Sequence, residues 1–169
     1  MKNIFFIYIL LISTSLFSQC DKTKMDVDKF TGDTSYTHVI NCSFLTDRVN
    51  ITFVKHKNDY VIHVMYSASG IRSLVIGSND SLSFKLQSGK IISIAPIGIA
   101  SGNVKDFGAS GRYTIIDIDY SCTEELIKQL SIEQLLMLRI ELTDHFKTFE
   151  FKEAQKKKII EAASCILQK

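Results

Sequence analysis

The hydrophobic pattern switches between two periods along the chain, and the switches mark its elements. Ile116, Ile118 and Tyr120 alternate with Asp117 and Asp119. Further on, Leu136, Leu138, Ile140 and Leu142 alternate with Met137, Arg139 and Glu141. A period of two is that of a half-buried strand. Between these runs the spacing predicts a short helix over about 122–130. Ser121 stands three residues before Glu124, the spacing of a capping box at its start.

The same reading extends in both directions. Tyr36 to Cys42 is β-rich, and Val49, Ile51 and Phe53 alternate with Asn50 and Thr52. Tyr60 to Tyr66 is apolar on both faces apart from His63, as in a central strand. Ile71 to Ile76 ends at the turn residues Gly77, Ser78, Asn79 and Asp80. Leu82, Phe84 and Leu86 share a face, and Ser88-Gly89 turns the chain into Lys90 to Ile94 as a hairpin. Phe149 and Phe151 mark a last strand. Ile159, Ile160, Ala162, Ala163, Ile166 and Leu167 then line one face of a helix over about 152–168, with Glu153 and Lys157 spaced for an i,i+4 pair. Short connections favour antiparallel neighbours. The expected fold is α+β: a mostly antiparallel sheet of about eight or nine strands with both helices packed on it.

One stretch breaks the rhythm. Residues 95–111 hold four of the eight glycines (Gly98, Gly102, Gly108, Gly111) and few anchoring apolar groups, which predicts a flexible loop. A phosphate-binding reading of residues 108–112 fails, because a strand follows where a helix N-terminus should be.

The N-terminus changes the picture most. Lys2 precedes an apolar run of nine residues, Ile4 to Ile12, and the tract ends at Ser18-Gln19. That is the layout of a secretory signal peptide, too short for a comfortable membrane span. The expected organisation is a signal peptide over 1–19, a polar lead-in over 20–34, and one α+β domain over 35–169. A lipid anchor on Cys20 is the rival to simple export; Gln19 argues against it, because a small residue normally precedes an acylated cysteine. Export makes disulfides available to Cys20, Cys42, Cys122 and Cys165, which allow three pairings. Helical projection puts Cys165 off the apolar stripe, and Cys42–Cys165 is the expected bridge.

Composition excludes more than it assigns. A net charge of +2 over 169 residues falls short of a nucleic-acid-binding face. Lys156, Lys157 and Lys158 lack aromatic interleaving and read as a solvated helix face. No cysteine stands in a CxxC or Cys/His cluster, and the four histidines show no metal-ligand spacing, so no metal or cofactor is expected. No nucleophile, base and orienter can be named together. Asp117 and Asp119 project from one strand face, as paired carboxylates would, although a solvent-facing row explains the same alternation. They are the one candidate site.

The segments DKFTGDTSY, RSLVIGSNDSLSFKL and LLMLRIEL, with a lysine-rich closing helix ending in SCIL, resemble in layout small exported bacterial proteins of unknown function. The resemblance implies export and an α+β domain and carries no functional residues. The leading expectation is a non-enzymatic binding or interaction module of the cell envelope, with a protein or small molecule as partner. The alternatives are a hydrolase-like enzyme with its site near the 95–111 loop, and a carrier of apolar ligands.

Overall fold

The computed structural model describes residues 20–44 and 47–169; the signal-peptide reading lies outside them. The elements in order are β1 (Lys24–Val27), β2 (Thr34–Phe44), β3 (Asp47–His56), β4 (Asp59–Ser69), β5 (Val75–Ile76), β6 (Leu82–Leu86), β7 (Ile91–Ile94), β8 (Ala100–Ser101), β9 (Asn103–Asp106), β10 (Arg112–Cys122), helix α1 (Glu124–Ile132), β11 (Leu135–Leu142), β12 (His145–Glu150) and helix α2 (Glu153–Leu167). This is an α+β fold of antiparallel strands. The strands divide among three sheets: β1-β2-β3-β4-β10-β9, β12-β11-β6-β7 and β5-β8. The single sheet expected from the pattern is thus split.

Alternation places the core. Ile40, Cys42, Val49, Ile51, Phe53, Ile62, Val64, Tyr66, Ile116, Ile118 and Tyr120 point inward from the large sheet. They meet Leu82, Phe84, Leu138 and Ile140 of the second sheet, and Leu126, Leu130, Ile159, Ala162 and Ile166 of the helices. Burying a Leu- or Ile-sized side chain contributes about 1.5–3 kcal/mol, so two facing rows of them outweigh any surface contact in this molecule.

Several local expectations change. The chain stays extended through Cys122, so Ser121 is a strand residue and Thr123 caps α1, accepting from the Leu126 amide at 3.3 Å. Glu153 pairs with Lys156 at 2.7 Å, one residue earlier than expected. The polar lead-in is tied down: β1 pairs with β2 from Lys24 opposite Thr37 to Val27 opposite Thr34.

The disulfide joins Cys165 to Cys20, not to Cys42. Cys42 points into the core from β2 as a free thiol, and burial pushes its pKa up to about 11. Cys165, projected off the apolar stripe, is nonetheless buried along with Ile159, Ala162, Ala163 and Ile166 of α2. The other free thiol, Cys122, is held up at about 12 by burial.

Residues 95–111 are the largest departure. They run antiparallel to β10 with a break in the middle. Pro96 bridges Tyr120, the Ile97 amide donates to the Asp119 carbonyl at 2.7 Å, and β9 pairs from Asn103 opposite Ile115 to Asp106 opposite Arg112. Between these contacts β8 turns aside to pair with β5. Gly102 allows that crossing, because a Cβ there would lie 2.8 Å from Thr114 Cγ2 and 3.0 Å from Leu74 Cβ. Every β9 side chain is exposed, so no apolar alternation announces the strand.

Candidate functional site

The outward face of the large sheet carries the polar positions of four strands in register. Ser43, Arg48, Ser67 and Ile115 form one row across β2, β3, β4 and β10. Asn41, Asn50, Met65 and Asp117 form the next, and Val39, Thr52, His63 and Asp119 the third. Strand alternation puts each of these residues opposite the core, and antiparallel pairing brings them together from distant parts of the chain.

A groove of about 390 Å³ lies over the first two rows, lined by Asn41, Ser43, Arg48, Asn50, Met65, Ser67, Tyr113, Ile115 and Phe107. Phe107, placed by the turn after β9, meets the Tyr113 ring edge-on at 5.8 Å. The Arg48 guanidinium stands 5.9 Å from the same ring, at the outer limit of a cation–π contact. Among the described residues, Asn41, Ser43, Arg48, Asn50 and Ser67 make no side-chain hydrogen bond or ion pair with other protein groups. Ser67 is only 6% exposed, so the little surface it keeps is turned to the groove. Asn41, Ser43 and Arg48 are exposed and Asn50 is half-buried, so their polar atoms face the groove and solvent.

The two sequence-predicted aspartates stand in neighbouring rows, Asp117 in the second and Asp119 in the third. The His63 Nδ1–H donates to Asp119 Oδ1 at 2.8 Å, and His63 Nε2 lies 3.7 Å from Asp117 Oδ1. The structure therefore brings together Asp117, Asp119 and His63, which the sequence offered only as a pair and a lone histidine. All three side chains are more than one-third exposed to solvent, where ion pairs are worth about 0–1 kcal/mol. Among the described residues no three His, Cys, Asp or Glu groups are placed to hold a metal ion. Met65, a groove residue, is in register with Asp117, so this trio borders the groove.

Sequence reasoning missed the groove itself. Arg48, Tyr113, Asn41 and Asn50 are each an ordinary outward residue of a strand, and only the pairing of β2, β3, β4 and β10 assembles them. Phe107 was the one available signal, an aromatic standing alone in a glycine-rich stretch.

No family model, no curated protein and no solved structure matches the chain.

Proposed function

We propose that this protein is an exported binding module of the cell envelope and that the outer-face groove is its ligand site. One observation carries the reading: five polar side chains and two aromatic rings converge on the groove, and no other described residue hydrogen-bonds or ion-pairs with those polar side chains. Ligand sites combine an apolar wall with a few placed polar groups, and these strands supply both on a rigid sheet. The Cys20–Cys165 bridge fits an oxidising compartment, and no helix among the described residues is long and apolar enough to cross a membrane. A disulfide and a lipid thioether compete for the same Cys20 sulfur, so the bridge favours export without acylation.

The test is mapping by amide chemical shifts. Isotope-labelled protein titrated with a broad library of envelope-derived small molecules should show perturbations clustered at Asn41, Arg48, Asn50, Met65 and Tyr113. Tyr113→Ala should weaken those ligands about tenfold, on the order of 1.4 kcal/mol. Perturbations confined to another surface would overturn the reading.

A hydrolytic role is the second reading, favoured by the Nδ1–Asp119 hydrogen bond that orients the His63 ring, the way a base is held by its carboxylate. It requires turnover of an ester or glycoside that His63→Ala abolishes. Unchanged turnover in that variant removes it.

A further inference from the structure

We infer that the groove is built for a sugar ring carrying a carboxylate, a uronic-acid type of ligand; this rests on the groove being the binding site. Three features of the lining choose the class.

The first is charge. Among the described residues, Arg48 is the only cationic side chain lining the groove, and no carboxylate lies within ion-pair reach of it. A guanidinium without an internal partner presents its fork to an anion, and a carboxylate is the planar anion that the fork matches in two parallel hydrogen bonds. A single cation suits one negative charge. The multiple charges of a nucleoside polyphosphate would call for more, and among the described residues no lysine lines the groove.

The second is hydrogen-bonding density. Two carboxamides, Asn41 and Asn50, and two hydroxyls, Ser43 and Ser67, surround the guanidinium. Each carboxamide or hydroxyl can both donate and accept, which matches the dual character of a sugar hydroxyl. An aromatic acid has no hydroxyls to offer these four groups. The third is the wall. Phe107 and Tyr113 meet edge-on, presenting apolar ring surface against which the C–H face of a pyranose can lie beside its polar rim. At about 390 Å³ the groove sits near the small end of ligand sites, which start at about 300 Å³. One or two rings fill it.

Alternating β-sheet geometry explains why these features coincide. The carboxylate-binding residue and the polar set occupy adjacent rows on β2, β3 and β4, while the aromatic wall comes from β10 and the turn before it.

Digalacturonic acid, its neutral digalactose counterpart and benzoate form the test set, each titrated into the labelled full chain. The inference expects digalacturonate to shift groove resonances and to bind at least tenfold more tightly than digalactose. Arg48→Met should abolish that preference while leaving weak binding of both sugars, and Asn50→Ala should weaken both sugars equally. Groove shifts with benzoate and none with digalacturonate would overturn the sugar assignment and leave the groove as a ligand site of another chemistry. If none of the three shifts groove resonances, the assignment is equally overturned. Whether the groove binds anything is then read from the library mapping.

Discussion

The two faces of β10 differ in everything but their backbone. Inward, Thr114, Ile116, Ile118 and Tyr120 are buried at 0–6% exposure; the apolar ones pack, and Thr114 accepts from the Arg72 amide and donates to the Gly70 carbonyl. Outward, Tyr113, Ile115, Asp117 and Asp119 meet solvent, the groove and His63. Adjacent residues therefore obey different energetics: area removed from water on one side, screened polar contacts on the other. A face free of packing duty is one on which unpartnered polar groups can be kept ready for a ligand.

The contrast is sharpest between neighbours in sequence. Ile116→Ala should destabilise the protein by about 2–5 kcal/mol, the range for truncating a fully buried Ile. Asp117→Ala, one residue on, should change stability by within about 0.5 kcal/mol, as exposed positions do. Urea midpoints for the two variants measure both. Comparable losses at the two sites would mean that the outer face is covered in solution and that the groove is not open.

A second prediction concerns a buried ionisable group on the inner face of the large sheet. His38 is 3% exposed, with Nδ1 2.9 Å from Thr23 Oγ1. Burial disfavours the imidazolium and lowers its pKa below the ordinary 6.5, with Glu161 pulling upward and Lys22 downward. The unfolded chain consequently takes up this proton first as pH falls. The stabilising contribution is fully present above about pH 6.5 and is lost as pH drops through the lower folded value. His38→Asn should flatten the fall in urea midpoint between about pH 7.5 and 5.5. An equally steep fall in the variant would assign the slope to other groups.

The inner face was largely legible in the sequence, because packing leaves a period that composition displays. Ile116, Ile118 and Tyr120 announced their own burial, and the Leu82–Phe84–Leu86 run did the same. The outer face was legible only as a list of positions. His63 and Asp119 are 56 residues apart, and nothing local to either encodes their meeting; the register of β4 against β10 does. The same holds for Cys20 and Cys165, separated by 145 residues. There the choice of partner depended on where β1 lies, and β1 itself carries no buried side chain to reveal it. β9 was hidden for the same reason. Its strand character comes from backbone pairing with β10, and glycine at 102 serves a close approach rather than flexibility.

The smallest expected effect tests the outer face most finely. His63 and Asp119 are hydrogen-bonded at 2.8 Å, yet each is well exposed, so solvent competes for both partners and side-chain entropy opposes the pair. A double-mutant cycle with His63→Ala and Asp119→Ala, read by urea unfolding, should give a coupling of about 0.2–1 kcal/mol. A value above about 2 kcal/mol would place the pair in the range of desolvated, charge-assisted bonds. The outer face would then share the energetics of the core, and its polar rows would be structural rather than held for a ligand. A coupling within the expected range leaves the row free to turn outward.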